Sequence, residues 1–167
     1  MTCWHFRLKG LMLFWKRKRV VRCAPYSKLA EIYDFVMRHV DYPGWANYIG
    51  LLLERHGPPD PYVIDIACGT GSLAIELARK GFKVFGVDAS GAMVAKAREK
   101  SERLGLDITF MQADMLGLQE LGTFDAALCL YDSINYLMSL DQVAEALENI
   151  GALLPDDGIF ILMYARR

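Results

Sequence analysis

The sequence predicts an α/β fold with a doubly wound, mainly parallel sheet. Apolar segments and segments with helical periodicity alternate regularly after Pro61, and four of five predicted strands are nearly continuous apolar runs. Such runs are typical of parallel strands covered on both faces, and β-α alternation implies right-handed crossovers. A glycine-containing turn follows the first strand. The predicted strands cover residues 62–66, 83–87, 108–112, 125–130 and 158–163.

Helical periodicity predicts three helices between the strands, over residues 71–79, 92–103 and 141–154. We expect a short or irregular helix over 115–123. Before the sheet, apolar residues at helical spacing predict one amphipathic helix, with Ser27 as its N-cap and Tyr33 on its apolar face. A second helix is predicted over 45–54, after a break at Tyr42-Pro43-Gly44.

Three regions follow from this pattern: a basic leader (1–24), a helical cap (25–60) and a ligand-binding α/β domain (61–167) that forms one compact unit with the cap. The leader's apolar run is too short, and lies on the wrong side of its basic cluster, for a signal peptide. A membrane-surface or RNA-binding arm stays open because aromatic residues interleave with the basic ones. Weak order near a chain end is the alternative that we favour.

Composition limits the partners of the domain. The chain has 167 residues, 53% of them hydrophobic, and no apolar run approaches the ~20 residues needed to span a membrane. Seven of its 19 basic residues lie within residues 1–22, which contain no acid, so 12 remain against 20 acids and the rest carries a formal −8. We therefore expect no nucleic-acid partner for this acidic body of the chain. Four cysteines without CxxC spacing predict reduced thiols, hence a cytoplasmic protein, and no metal site.

The turn after the first strand is the candidate ligand site. Ligands collect at the carboxyl ends of strands in open α/β sheets, and glycines there let the backbone approach a ligand closely. Asp88 ends the second strand and could accept hydrogen bonds from ribose hydroxyls. Asp65 would repel a pyrophosphate and attract an amino group or a sulfonium, which favours a cationic nucleoside ligand over a dinucleotide.

Four stretches carry a family resemblance: Asp65-Ile-Ala-Cys-Gly-Thr-Gly71, Gly86-Val-Asp-Ala-Ser-Gly-Ala-Met93, Gln112-Ala-Asp-Met115 and Phe124-Asp-Ala-Ala-Leu-Cys-Leu130. Together they resemble class I S-adenosylmethionine-dependent methyltransferases, and the cap is similar to that of small-molecule members. The resemblance implies strand order 3-2-1-4-5. It also implies two further strands, so we expect a truncated or variant domain whose open fifth-strand edge favours homodimers or poor solubility. Ala67 replaces the family's first loop glycine.

The resemblance also assigns roles to residues. It implies that Asp65 lies near the cofactor's amino group, that Gly69 and Gly71 line its methionine portion and that Asp88 binds the ribose. The remaining residues implied at the cofactor are Ala67 in the glycine turn, Ala89, Met93, Asp114 and Met115 around the adenine, Leu130 and Tyr131 beside the sulfonium, and Tyr26, Tyr33 and Trp45 from the cap. Three alternatives stay open for the acids: Asp65 could only cap the following turn, Asp88 could be a helix N-terminal acid and Asp114 a plain loop residue. Tyr33, Trp45 and Met93 could be plain core residues.

Methyl transfer needs alignment more than covalent chemistry, but some acceptors must lose a proton. Asp132 is the predicted base, and Tyr131 or His39 is the next candidate. The alternative role of Asp132 is to cap a loop. The resemblance links an Asn/Asp-Pro-Pro-aromatic motif to base or glutamine amino groups, and its absence here favours a small-molecule acceptor. Two other functions stay open, a nicotinamide-dependent oxidoreductase and a non-catalytic remnant acting as a binding or assembly module.

Overall fold

Five parallel strands form a single sheet in the computed structural model, which describes residues 28–163. Their order, β3-β2-β1-β4-β5, confirms the predicted fold class and strand order. The chain runs outward in one direction from β1 through β2 to β3, then crosses back to β4 on the other side of β1. The strands are β1 (Tyr62–Ile66), β2 (Lys83–Asp88), β3 (Thr109–Gln112), β4 (Ala126–Cys129) and β5 (Ile159–Leu162).

Helices cover both faces of this sheet. The three that follow β1, β2 and β4 begin within one residue of their predicted starts. Ser90 caps the second by accepting a hydrogen bond from the Met93 N–H (3.5 Å), and Ser139 caps the third by accepting one from Gln142 (3.2 Å). The helices are α1 (Tyr33–Val36), α2 (Tyr42–His56), α3 (Ser72–Arg79), α4 (Gly91–Arg103) and α5 (Leu140–Ala152), with 3-10 helices at Leu29–Glu31 and Ser133–Tyr136.

Two hydrophobic cores lie on opposite faces of the sheet because successive strand residues point to opposite sides. Val63 belongs to the core that α2, α3 and α4 cover, with Leu53 and Leu77. Ile64 belongs to the other core, with Phe124 and with Ile150 of α5. All of these side chains are essentially inaccessible to solvent.

The prediction of one amphipathic first helix is wrong. The chain forms a 3-10 turn and then the four-residue α1, in which no residue is buried. Ile32 and Phe35 are 56% and 66% exposed. A single helical turn is costly to nucleate, and β-branched or aromatic residues give it little intrinsic support. The predicted N-cap, Ser27, and the predicted pocket residue Tyr26 lie outside the described residues, as does the leader.

Helix α2 begins three residues before its predicted start, so the predicted break at Tyr42-Pro43-Gly44 is wrong. Proline is tolerated in the first turn of a helix, where its missing N–H is not needed. The Asp41 carboxylate completes this turn by accepting the Gly44 N–H at 3.0 Å. The segment 115–123 forms turns and no helix, with Leu118 fully buried as its anchor. None of the helices within residues 28–163 has the length and apolarity to cross a membrane.

Candidate functional site

A crevice opens at the carboxyl ends of β1, β2 and β4. It has a larger lobe of about 440 Å³ over β2 and a smaller lobe of about 60 Å³ over the end of β1. Tyr33, Ala67, Gly69 and Ser133 line both lobes, so the two are connected parts of one site. Such crevices are where ligands bind in open α/β sheets.

The turn after β1 forms the floor of the crevice. Three of its residues have left-handed backbone angles: Ala67 (φ 58°), Gly69 (φ 57°) and Gly71 (φ 74°). Gly69 lines both lobes, whereas Gly71 is buried and lines neither. A Cβ on Gly71 would lie 2.7 Å from the Phe110 ring and 3.0 Å from the Cβ of Ala97. Gly71 therefore lets α3 begin close to β3 and α4, and the structure does not place it at the crevice surface.

Asp65 lies in β1 with its side chain lining the smaller lobe. The residue is 3% exposed, and its Oδ2 has no hydrogen-bond partner among the described residues. Burial, reinforced by the charge of Asp88, raises the pKa of Asp65 to about 7. A buried carboxylate oxygen without a partner is costly, so this position suits a ligand that brings a positive charge or a donor.

Asp88 ends β2 and connects the turn to α4. Its Oδ2 accepts the Gly69 N–H and its Oδ1 accepts the Ser90 N–H, both at 2.8 Å. Burial raises the pKa of Asp88, and the two backbone hydrogen bonds oppose that rise. The carboxylate is thus held in one orientation on the wall of the larger lobe, and each oxygen keeps a further lone pair for a ligand.

The larger lobe gathers the residues predicted around an aromatic base. Met93 is 2% exposed and lies in the first turn of α4. Asp114 follows β3, and its Oδ1 accepts the Leu116 N–H at 3.0 Å. The structure brings these two residues together with Ala89 and Met115 in the lining of this lobe.

The cap contributes Tyr33, which lines both lobes; its ring lies 3.6 Å from where a Cβ on Gly69 would be. Burial raises the pKa of Tyr33. Trp45 was predicted to close the pocket as well, but it lines neither lobe. Its ring packs against that of Tyr131 with 5.8 Å between centroids, so it supports the crevice wall from behind.

Leu130 and Tyr131 follow β4 and line the smaller lobe. Tyr131 and Asp132 both have positive φ angles, 53° and 60°, which is rare for residues other than glycine. The Tyr131 hydroxyl is buried with no hydrogen-bond partner within residues 28–163, and burial raises its pKa to about 12. Asp132 and His39 line neither lobe, and His39 is exposed beside the Val36 carbonyl.

The sequence profile of a family described as "Methyltransferase domain" matches residues 63–158, more than half of the chain. This chain belongs to the methyltransferase-domain family. A Geobacillus sp. (strain WCH70) protein, provisionally named a methyltransferase, is 35% identical over 137 residues, 81% of this chain and 56% of the relative. The dTDP-3-amino-3,6-dideoxy-alpha-D-glucopyranose N,N-dimethyltransferase of Streptomyces fradiae is 32% identical over 83% of this chain and 54% of its own length.

Solved structures agree with this membership. An S-adenosylmethionine-dependent methyltransferase from Clostridium acetobutylicum superposes with a TM-score of 0.70 at 32% identity, over 81% of this chain and 55% of that one. The family resemblance stated from the sequence motifs is therefore confirmed. This methyltransferase-domain chain spans a little more than half the length of the curated relatives named above.

Several crevice residues of this methyltransferase domain were missed by sequence reasoning. Tyr42 was interpreted as part of a helix break, although its ring packs on Tyr131 at 5.8 Å and lines the smaller lobe. Ser133 and Tyr136 belong to a 3-10 turn with no periodicity to mark it. Among residues 28–163, no group of three or more His, Cys, Asp or Glu side chains could hold a metal ion.

Ala67 should carry backbone strain, because a left-handed angle costs an L-residue roughly 1–2 kcal/mol. We expect Ala67→Gly to raise the free energy of unfolding by about 0.5–1 kcal/mol after the added flexibility of the unfolded chain is subtracted. Urea denaturation measures this change. Ala89→Gly is the matched control: Ala89 lines the same crevice without a positive φ, so its replacement should destabilise. Equal losses for both variants would contradict the strain at Ala67.

Proposed function

We propose that this domain transfers a methyl group from S-adenosylmethionine to a small-molecule acceptor. The observation that carries the proposal is the pair of acids in the crevice: Asp65, buried with an oxygen that lacks a partner, and Asp88, held by two backbone N–H groups. The positively charged amino group of a ligand would bind Asp65, and the hydroxyls of its ribose would bind Asp88. Family membership supports the same conclusion.

The residues present fit this cofactor. Asp65 would bind the amino group in the smaller lobe, beside Gly69. Asp88 would accept from the ribose hydroxyls in the larger lobe. The adenine would lie among Ala89, Met93 and Met115, with Asp114 accepting from its exocyclic amine. When bound, S-adenosylmethionine supplies a methyl group already activated on a sulfonium.

Tyr131 is the proposed positioning residue at the reacting end, together with Leu130. A pKa of about 12 keeps the Tyr131 phenol protonated at neutral pH, so its hydroxyl can donate a hydrogen bond but cannot act as a general base. Its ring face could also attract a positive sulfur through a cation–π contact. These residues would hold the donor and acceptor in line, which is the main requirement of methyl transfer.

We propose an amine nitrogen as the acceptor atom. Asp65 is the one carboxylate that lines the smaller lobe within the described residues. The amino group of the proposed cofactor would bind it, so no carboxylate of this lobe would be left to act as a base. A neutral amine needs no base before it attacks, unlike a hydroxyl. The Streptomyces fradiae relative is named as an N,N-dimethyltransferase of an amino sugar nucleotide, which supports this acceptor class.

The general-base role predicted for Asp132 is tested by Asp132→Asn. Because Asp132 lines neither lobe, we expect kcat toward a small-molecule amine to change less than threefold, roughly the scatter expected for a loop substitution. A general base in the reaction would instead make the loss about 10²–10⁴-fold and remove the acidic limb of the pH–rate profile. Steady-state kinetics from pH 6 to 9 distinguishes these results, and the second would restore the sequence-based prediction.

Titration calorimetry tests the proposed cofactor. We expect the chain to bind S-adenosylmethionine and S-adenosylhomocysteine but not NAD, since Asp65 would repel a pyrophosphate. Asp88→Ala should weaken binding by about 1–3 kcal/mol. Binding of NAD alone would favour an oxidoreductase. Binding of an adenosyl ligand without methyl transfer to any amine would favour the binding-module alternative, and no binding at all would overturn the proposal.

We further propose that two copies of the chain associate through the free edge of β5. Within the described residues, β5 pairs with β4 alone, and Leu162 is 37% exposed. An unpaired strand edge is a template for another strand. Light scattering across a concentration series should show a dimer; a monomer at every concentration would contradict it.

A reducing, cytoplasmic location is part of the proposal. Cys68 lines the smaller lobe, Cys129 lies in β4, and both are free thiols. Burial raises the pKa of each thiol, which keeps both in the unreactive protonated form. Thiol titration of freshly purified protein should find both reduced; a disulfide that includes either one would contradict this location.

A further inference from the structure

A polar cluster of Asp34, Thr70, Ser72 and Lys100 joins the cap to the crevice floor. The Lys100 ammonium donates to Asp34 Oδ2 (2.9 Å), Ser72 Oγ (2.9 Å) and Thr70 Oγ1 (3.2 Å), which uses all three of its N–H bonds. Thr70 in turn donates to Asp34 Oδ1 at 2.5 Å. Three separate elements, namely α1, the glycine turn with the start of α3, and α4, therefore meet at one ammonium group.

The cluster differs from the other ion pairs of the described residues. Those are Glu76 with Arg79 and Lys96 with Glu99, both three residues apart on one helix. Asp34 and Lys100 are 66 residues apart, and the Lys100 side chain is only 15% exposed. Partial burial would raise the pKa of Asp34, but hydrogen bonds from Thr70 and Lys100 outweigh it and lower the pKa. The carboxylate is therefore charged at neutral pH.

This cluster lies next to a residue that lines the crevice. Asp34 immediately follows Tyr33, the cap residue that bridges both lobes of the crevice. Helix α1 buries none of its own residues, and Ile32 and Phe35 point to solvent, so hydrophobic burial does little to hold this turn. The contacts of Asp34 with Thr70 and Lys100 tie the turn that carries Tyr33 to the crevice floor and to α4.

We propose that Lys100 is a positioning residue for the adenosyl ligand: through Asp34 it holds Tyr33 across the crevice and slows ligand release. The inference rests on the proposed function for the identity of its ligand. The contact between Lys100 and Asp34, which we call the latch, is present in the ligand-free chain. Tyr33 lines both lobes beside Gly69, which also lines both. A ligand that occupies both lobes would displace Tyr33 as it leaves, and the Asp34–Lys100 pair would oppose that movement.

The test compares Lys100→Met with Lys96→Met in the full chain. Both lysines lie on α4, but the Lys96 ammonium donates to Glu99 of the same helix and, within residues 28–163, makes no hydrogen bond with the cluster. Using S-adenosylhomocysteine as the probe, we expect Lys100→Met to raise the dissociation rate about three- to tenfold, the range of a partly exposed charged pair. Lys96→Met should leave it unchanged. Salt should speed release from the wild type and not from Lys100→Met, because ions screen the pair.

Two further measurements separate positioning from a loss of stability. In a Tyr33→Ala background, Lys100→Met should have no additional effect on the dissociation rate, since the residue it positions is gone. Hydrogen exchange of the ligand-free chain should be faster at the amides of Val36 and Met37, which close the turn of α1, in Lys100→Met but not in Lys96→Met.

The outcomes separate this inference from the proposed function. If the wild type binds S-adenosylhomocysteine and Lys100→Met releases it at the same rate with the same salt dependence, the latch is overturned and the function stands. If the wild type binds no adenosyl ligand, the proposed function fails, and hydrogen exchange of the ligand-free chain then tests the latch. Unchanged exchange at Val36 and Met37 in Lys100→Met would then overturn the latch as well.

Discussion

Asp65→Asn is expected to make the ligand-free protein more stable at pH 8 while weakening its binding of S-adenosylhomocysteine by about 30-fold or more. In the wild type, an isolated carboxylate must ionise in a buried site, where its pKa is about 7 against an ordinary value of 3.8. Removing that penalty, less the cost of a buried amide, should raise the free energy of unfolding by about 1–3 kcal/mol.

The pH dependence follows from the same shift. Because the folded-state pKa of Asp65 is raised, the unfolded chain ionises first as pH increases above about 4, and the wild type loses stability until about pH 7. Ligand affinity should change in the opposite direction, rising through about pH 7 as the carboxylate that binds the amino group becomes charged. In Asp65→Asn both trends should be weaker.

Urea denaturation and titration calorimetry from pH 5 to 8.5 measure these effects. Asp107→Asn is the control, since Asp107 is an exposed loop acid that lines neither lobe of the crevice. It should leave both profiles as they are in the wild type. If Asp65→Asn instead destabilises the chain at pH 8 and binds the ligand normally, then Asp65 is a structural residue, as the turn-cap alternative holds.

Gly71→Ala should be among the most destabilising single substitutions in the chain. The added Cβ would require a strained left-handed backbone angle and would also overlap Phe110 and Ala97. Backbone strain of roughly 1–2 kcal/mol and overpacking of about 1–3 kcal/mol together give a loss of about 3 kcal/mol or more. The melting temperature should fall by about 10 °C for a chain of this size.

Gly69→Ala provides the matched comparison. Gly69 has a similar φ of 57°, but the nearest atom to its added Cβ is 3.6 Å away, on Tyr33. Only the backbone strain of about 1–2 kcal/mol is expected. Calorimetric melting of both variants checks the difference, and equal losses would contradict the packing role of Gly71. If Gly71→Ala does not fold, adding Phe110→Leu should recover folded protein by removing ring atoms from the overlap.

Sequence patterns located most of the sheet and most of the crevice. The strands are apolar runs, and a parallel strand that is covered on both faces has to be one. Asp65, Gly69 and Asp88 could be identified because the ends of adjacent parallel strands meet at one edge, so their positions follow from local order alone. Met93, Asp114 and Met115 followed from the family resemblance, and the structure places them in the same lobe.

The cap could not be predicted in the same way. Periodicity predicted one amphipathic first helix, yet the chain makes a 3-10 turn and then the four-residue α1, in which Phe35 and Val36 are exposed. Trp45 and Tyr42 are both cap aromatics, and only the packing against Tyr131 shows that Tyr42 reaches the smaller lobe while Trp45 stays behind it. Gly71 is similar: its place in the motif suggested ligand contact, and its neighbours show a packing role.

By itself, the sequence determined the alternation of elements, the glycine turn and the acids at the strand ends, because each depends on residues close together in the chain. Tertiary structure alone decided which side chains share a space. Asp34 and Lys100 carry no local pattern that relates them, and the raised pKa of Asp65 arises only once the packed sheet has removed water from β1. Contacts over 66 residues and buried charges are properties of the folded arrangement, so no local pattern encodes them.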